Sequence, residues 1–399
     1  MSRKKTFIII GIALVLIIGG ALFLYFWFNR GVVVPPDGGT FPSTDDNEFP
    51  PEDDGKTTVL PDEKQPRLRL LYKEPQAGAV IGKRNGNLVA RLIDTALGNV
   101  YEVGLAEGTP ERLTNTTIPK VYEALWRSSG TGVMLRYLQK DEETVETFST
   151  TIREQGSVAG EGELAGSFLP RDITSLAVSP DGTKVFSLRE ENERSIGVVS
   201  DMTGGGRQEV WRSPLREWTA RWIKGDTVAL QSNPSAFAPG LLLYVNPSTG
   251  SVERVLAGLS GFLALPSPTG AFVAFNTSTD EGFAFSLFEK TSRVIRALPF
   301  VTLTDKCVWN KTGSVLYCGV PKEIPPGIYP DERYQGLLSF SDELWSVNAL
   351  TGNVHLLVNP KTEKNIELDA EKLLVSEDEG YLIFTDRNTD ALWSLRLKD

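Results

Sequence analysis

A short hairpin signature recurs along most of this chain. Its clearest copy is Val178-Ser-Pro-Asp-Gly-Thr-Lys-Val-Phe-Ser-Leu188, in which an apolar strand ends, a turn reverses the chain and a second strand begins. Proline at the second turn position presets φ, and glycine at the fourth adopts the left-handed backbone that a tight reversal needs. A chain built from such hairpins is predicted to be all-β.

The copies are spaced like the blades of a propeller. In chain order their turn glycines are Gly78, Gly130, Gly182, Gly225, Gly270, Gly313 and Gly380. A second pattern, an apolar strand followed by a polar turn ending in glycine, closes at Gly98, Gly250 and Gly352. Four short strands in every roughly 40–50 residues are typical of a blade. We therefore predict a seven-bladed β-propeller of four-stranded blades, whose strands we name A to D from the centre outwards.

The ring needs a closing strand. The last repeat ends with Ala391-Leu-Trp-Ser-Leu-Arg-Leu397, which is a third strand, and no fourth follows it. An open ring would expose sheet edges. We expect residues 56–60 to supply the outer strand of blade seven, so that the propeller domain comprises residues 56–399.

These motifs resemble those of a known group of bacterial propellers. The Val-Ser-Pro-Asp-Gly hairpin at 178–182 and the Tyr-Val-Asn-Pro-Ser-Thr-Gly turn at 244–250 are similar to those of the TolB-like and YVTN-type propellers. The resemblance covers about residues 67–399. It implies a propeller and a periplasmic scaffold or peptidase-associated module, and it identifies no ligand.

The N-terminal region has a different composition. Residues 6–28 carry no charge and are long enough to span a bilayer as a helix, and Arg3, Lys4 and Lys5 precede them. We expect a single-pass anchor with residues 1–30 forming the cytoplasmic N-terminus and span, and with the propeller outside the cytoplasm. A cleaved signal peptide is the alternative. The acidic, proline-rich residues 31–55 are expected to be a disordered linker.

The composition limits which partners, metals and cofactors can be expected. The net charge of −10 argues against a nucleic-acid partner. One histidine and two cysteines argue against a metal site built on those residues, and the sequence has no P-loop or dinucleotide fingerprint, so that we expect no metal and no cofactor. The histidine, His355, is expected to be solvated on an outer strand. Cys307 and Cys318 are symmetric about the Asn310–Ser314 turn, so that hairpin pairing places them opposite each other. We expect a disulfide, with two buried free thiols as the alternative.

The candidate binding region is the longest B–C loop, Gly319 to Glu343 in blade six. It holds aromatic and charged residues typical of interfaces, and blade four adds one more in its own B–C loop. The candidates for partner binding are Ile324, Tyr329, Asp331, Arg333, Tyr334, Phe340 and Phe237. The alternative is a loop that only covers the mouth of the central channel.

Two functions remain open from the sequence. The first is a membrane-anchored, extracytoplasmic propeller that binds a protein or envelope polymer as a scaffold module of the cell envelope. The second is a propeller enzyme, a carboxylate-based glycosidase or lyase acting on an envelope polymer. Its candidate acids are Asp280, Glu281, Asp331 and Glu332, which no spacing links.

Overall fold

The computed structural model describes residues 66–141, 143–153, 162–280 and 282–398. These residues form seven antiparallel sheets of four strands each. The predicted all-β, seven-bladed propeller is confirmed. In each sheet the strands follow one another in hydrogen-bonded order from strand A to strand D. The predicted anchor (6–28) and linker (31–55) lie outside the described residues. Within those residues, no helix has the length and apolar character needed to cross a membrane.

The chain enters the ring with β1 (Leu68–Tyr72), which belongs to the last blade. Blade one consists of β2 (Gln76–Arg84), β3 (Asn87–Asp94), β4 (Val100–Gly104) and β5 (Glu111–Arg112). Blade two consists of β6 (Val121–Trp126), β7 (Gly132–Leu138), β8 (Val145–Arg153) and β9 (Glu163–Phe168). Blade three consists of β10 (Ile173–Val178), β11 (Lys184–Glu191), β12 (Arg194–Asp201) and β13 (Gln208–Ser213).

The remaining blades follow the same order. Blade four consists of β14 (Trp218–Lys224), β15 (Thr227–Ser232), β16 (Pro239–Val245) and β17 (Val252–Ser260). Blade five consists of β18 (Leu263–Pro266), β19 (Phe272–Thr279), β20 (Gly282–Glu289) and β21 (Val294–Ala297). Blade six consists of β22 (Cys307–Trp309), β23 (Val315–Pro321), β24 (Asp342–Asn348) and β25 (Val354–Val358). Blade seven consists of β26 (Ala370–Val375), β27 (Tyr381–Asp386), β28 (Ala391–Arg396) and β1. Short helices lie between strands: a 3-10 turn (Thr304–Lys306), α1 (Asp331–Tyr334) and α2 (Pro360–Lys364).

The A–B turns of blades three, five, six and seven share one mechanism. In blade three the Ser179 hydroxyl accepts hydrogen bonds from the backbone N–H groups of Thr183 and Lys184, and Gly182 has a φ of +68°. The equivalent first turn position is serine in blades five and seven and asparagine in blade six, and each accepts a bond from the first residue of strand B. The recurring polar residue therefore sets the register of the A–B hairpin in these four blades.

The sequence prediction for blade one was displaced by one strand. Its A–B turn lies at Asn85-Gly86, where φ values of 51° and 86° fit a two-residue type I′ turn. Gly78 lies within strand A and packs against Ala124 of blade two, where a Cβ would meet the Ala124 carbonyl oxygen at 2.4 Å. The Gly98 turn consequently joins strands B and C, not strands C and D.

Closure by an N-terminal strand is observed, with a different segment. Leu68–Tyr72 pairs with β28 and occupies the outer position that we expected residues 56–60 to fill. The segment before Gly78, which the sequence analysis assigned to blade one, forms this closing strand. The shift of the blade-one turn and the change of closing segment therefore have the same cause. Residues 56–60 lie outside the described residues.

The cysteine pairing follows the predicted register. Cys307 and Cys318 are paired across β22 and β23 and form a disulfide with a Cα–Cα distance of 4.1 Å. Both side chains are buried in the core between blades five and six. The disulfide prediction is confirmed.

Candidate functional site

One long connection links the ends of several blades. It joins β23 to β24, covers residues 322–341, and is called the blade-six loop below. Its Asp331 carboxylate accepts bonds from the Ser235 hydroxyl (2.9 Å) and the Ala236 N–H (2.7 Å) in the B–C loop of blade four. The Ser278 hydroxyl of blade five donates to the Tyr329 carbonyl (2.6 Å). The loop is therefore fastened to blades other than its own.

A group of four buried charges also fastens the loop. We call Lys306, Arg333, Asp342 and Asp369 the ion quartet. Lys306 Nζ lies 2.7 Å from Asp342 Oδ2 and 2.5 Å from Asp369 Oδ1. The Arg333 guanidinium meets Asp369 at two points, with Nη1–Oδ2 at 2.5 Å and Nη2–Oδ1 at 2.7 Å. All four side chains are at most 1% exposed, and the two positive and two negative charges balance.

The two acids of the quartet respond differently to burial. Burial raises the pKa of Asp342 to about 6, although the positive charge of Lys306 opposes the change. Burial also works to raise the pKa of Asp369, but Lys306 and Arg333 outweigh it and the pKa is lowered. Asp369 therefore carries the charge that holds the loop, because it alone pairs with both cations.

Aromatic rings fill the space beside the quartet. Tyr329 stacks on Phe340 with their centroids 6.0 Å apart and meets Phe283 of blade five at 4.7 Å. The Phe340 ring also lies 5.2 Å from Lys306 Nζ and 4.8 Å from Arg333 Cζ. These contacts combine apolar burial with cation–π attraction and give the loop its own small core.

The predicted partner-binding residues divide into two groups. Tyr329, Arg333 and Phe340 are buried and hold the loop, while Asp331 and Ile324 are partly buried in the same role. Tyr334 and Phe237 are exposed. The structure thus assigns most of the predicted set to anchoring the loop, and leaves those two available for contact.

Two further exposed apolar residues escaped the sequence analysis. Ile328 is 42% exposed, Leu337 is 67% exposed, and Phe237 in the blade-four loop is 77% exposed. We call these three residues the apolar crest. The backbones of Ile328 and Leu337 both bond to Glu332, and the adjacent Asp331 bonds to the residue before Phe237. The three side chains therefore belong to one region, where α1 meets the blade-four loop.

A cavity of about 270 Å³ lies where the inner strands of blades four and five meet the blade-six loop. We call it the channel-mouth pocket. Strand β14 contributes Arg221, strand β18 contributes Ala264 and Leu265, and Asp305 and Tyr334 complete the wall. The sequence analysis did not select Arg221, because an arginine on a strand gives no sign that it faces a cavity.

The carboxylates considered for catalysis have other partners. Asp331 accepts bonds from the blade-four loop, and Glu332 accepts one from the Ile328 N–H (3.1 Å). Asp280 is exposed, and Glu281 lies outside the described residues. His355 is exposed on the outer strand β25, as expected. In the described part of the chain, no group of three or more His, Cys, Asp or Glu side chains is placed to hold a metal ion.

Comparison with known proteins gives similarity of fold. No family model and no curated protein matches the sequence. Hydrazine synthase from Kuenenia stuttgartiensis shares 12% identity with a TM-score of 0.50, covering 82% of this chain and 96% of that one. An oligogalacturonate lyase in complex with manganese shares 13% identity with a TM-score of 0.47, covering 82% and 99%. A TolB structure from Agrobacterium tumefaciens shares 14% identity with a TM-score of 0.39, covering 58% and 87%.

Proposed function

We propose that this chain is a membrane-anchored, extracytoplasmic propeller that binds a protein partner of the cell envelope through the apolar crest. The crest carries the proposal, because it presents three exposed large apolar side chains on two loops that the Asp331 hydrogen bonds join. Contiguous apolar surface on a soluble domain commonly marks an interaction site. Aromatic and aliphatic side chains of this kind anchor protein interfaces.

The anchoring of the blade-six loop supports this role. The ion quartet and the stacked Tyr329 and Phe340 side chains hold the loop from below. A partner that docks on a preformed surface does not have to order it, so that less binding free energy is lost. The buried members of the predicted set therefore contribute to binding by fixing the position of the crest.

The sequence supports the location. The uncharged span 6–28 follows three basic residues, which favours a cytoplasmic N-terminus. The acidic, proline-rich residues 31–55 then separate the span from the propeller. Membrane fractionation with protease added from outside tests this, because an anchored external propeller sediments with membranes and is digested. Full-length protein in the soluble fraction would contradict it.

The enzyme alternative receives less support from the site. Asp331 and Glu332 are engaged within the loop region, and a general acid or nucleophile needs a carboxyl group that is free to meet substrate. Binding through the crest requires no such group. We therefore retain the binding module as the proposed function.

Site-specific photo-crosslinking in intact membranes tests the crest. A photoreactive residue at Gln335, exposed beside the crest, is introduced into three forms of the full-length protein. These are the unmodified chain, Phe237→Ser with Leu337→Ser, and Leu350→Ser. Leu350 is 63% exposed on the C–D turn of blade six, at the other end of the sheet, and serves as the matched control.

The unmodified chain and the Leu350→Ser control are expected to give the same protein adduct, and the crest variant about tenfold less. Equal adduct in all three forms, or no adduct in any, contradicts the proposal.

A further inference from the structure

The channel-mouth pocket contains an arginine that the protein leaves unpaired. Arg221 lies on β14, is accessible to water, and is enclosed by the cavity walls. Among the described residues it has no hydrogen-bond or ion-pair partner. Burial lowers the pKa of Arg221, and no neighbouring acid opposes that effect. A guanidinium group in such a place is available for an anion from outside.

Two amide side chains of the wall are already engaged. Gln231 Oε1 accepts the Ala264 N–H at 2.7 Å, and Asn233 Nδ2 donates to Glu217 at 3.2 Å. Burial, together with the nearby Asp305, raises the pKa of Tyr334. These bonds fix the two amides, and the five N–H donors of Arg221 remain available for a ligand.

The charge of the pocket limits the ligand to a single negative charge. Arg221 is the one cation and Asp305 the one acid among the lining residues of this cavity. Burial raises the pKa of Asp305, which reduces the repulsion that an anion would meet. The guanidinium fork matches both carboxylate and phosphate, but one arginine balances one negative charge, which is the charge of a carboxylate.

Part of the wall is apolar. Strand β18 lines the pocket with Leu263, Ala264, Leu265 and Pro266, and β16 adds Leu242. At about 270 Å³ the cavity lies at the small end of the range of ligand pockets, which begins at about 300 Å³. The pocket therefore suits a small group that carries one carboxylate beside an aliphatic side chain.

We propose that the channel-mouth pocket binds a carboxylate next to an apolar group, with Arg221 as the residue that pairs with the carboxylate. Two sources share this chemistry: a free small organic acid, and the C-terminal residue of a peptide. The pocket is separate from the apolar crest, so that either proposal stands or fails without the other.

Ligand binding to the full-length protein in detergent tests the proposal. N-acetyl-leucine and its amide represent a peptide C-terminus, and isovalerate and isovaleramide represent a free acid. Calorimetric or ligand-observed NMR titration compares each acid with its amide, which differs in charge and little in shape. Arg221→Gln removes the proposed contact. Arg112→Gln, exposed on the outer strand of blade one, is the matched control.

We expect at least one acid to bind about tenfold more tightly than its amide, in the unmodified protein and in Arg112→Gln. Arg221→Gln should abolish that difference while retaining the melting temperature. Binding of N-acetyl-leucine alone would identify a peptide terminus, and binding of isovalerate would identify a free acid. Equal binding of acids and amides by the unmodified protein, or no acid binding at about 10 mM, overturns the proposal. Even if Arg221→Gln does not fold, the comparison of each acid with its amide in the unmodified protein still tests the proposal.

Discussion

Arg333 and Asp369 form a two-point ion pair beneath the blade-six loop, with N–O distances of 2.5 and 2.7 Å. Arg333 lies on α1 within the loop, and Asp369 immediately precedes the first strand of blade seven. Lys306 bonds to the same aspartate. One carboxylate thus receives two cations from different segments, and the pair fixes the loop to the neighbouring blade.

Replacing Arg333 with methionine tests this anchoring. The variant keeps an apolar stem of similar length and removes one of the two cations on Asp369. Breaking a buried pair leaves a charge undercompensated, so that we expect a loss of about 3–5 kcal/mol in the free energy of unfolding. Urea unfolding measures the loss, and faster hydrogen exchange within 322–341 is expected to accompany it.

The control is Arg212→Met, which breaks an exposed pair with Glu209. Exposed pairs contribute about 0–1 kcal/mol, so that this variant should remain close to the unmodified protein. If Arg333→Met costs no more than the control, the ion quartet does not stabilise the loop.

The raised pKa of Asp342 predicts that the free energy of unfolding depends on pH. Its pKa of about 6 lies above the usual value of a free aspartate, so that the native state binds a proton that the unfolded chain has already released. The resulting stability is fully present below about pH 4 and is lost as the pH rises through about 6. Asp369, whose pKa is lowered, contributes the opposite trend only below about pH 4.

Comparison with Asp342→Asn isolates this effect, because asparagine does not titrate. Between about pH 4 and 6, the stability of the unmodified protein relative to the variant should fall as the pH rises, by up to about 1.4 kcal/mol per unit. Urea unfolding at several pH values measures the slope. A slope of the opposite sign would mean that pairing with Lys306 outweighs burial at Asp342.

The repeat pattern made the ring predictable from the sequence. Turn chemistry is local, so that serine or asparagine followed by glycine marks most A–B turns without knowledge of the fold. The Cys307–Cys318 pairing followed from the same turn. The error in blade one arose because Glu74-Pro-Gln-Ala-Gly78 imitates such a turn, whereas the true signal is the shorter Asn85-Gly86.

The ion quartet and the channel-mouth pocket were not predictable in this way. Lys306 and Asp369 are 63 residues apart and meet only because blades six and seven are neighbours. A charged residue in a single sequence is most simply interpreted as exposed, since charges are seldom fully buried unless they are paired. The loop was recognisable by its length, but which of its aromatic residues face inwards depends on contacts with distant residues such as Phe283 of blade five.

The disulfide provides a third prediction. It closes a hairpin with a sequence separation of 11, for which the chain-entropy relation gives about 3 kcal/mol. Replacing both Cys307 and Cys318 with alanine should lower the free energy of unfolding by about that amount, and reductant should have no further effect. Urea unfolding with and without reductant measures both. An unchanged stability, or two thiols that react with an alkylating agent before reduction, would contradict a stabilising disulfide.

The closing strand provides the last prediction, which compares two leucines on β1. Leu68 is fully buried between blades six and seven, and Leu70 is 43% exposed on the same strand. Leu68→Ala should cost about 2–5 kcal/mol because it leaves a cavity where the ring closes. Leu70→Ala should cost less, since its side chain already meets water and the backbone pairing with β28 is retained. Thermal or urea unfolding of the two variants measures the difference, and equal losses would show that β1 does not close the ring by packing.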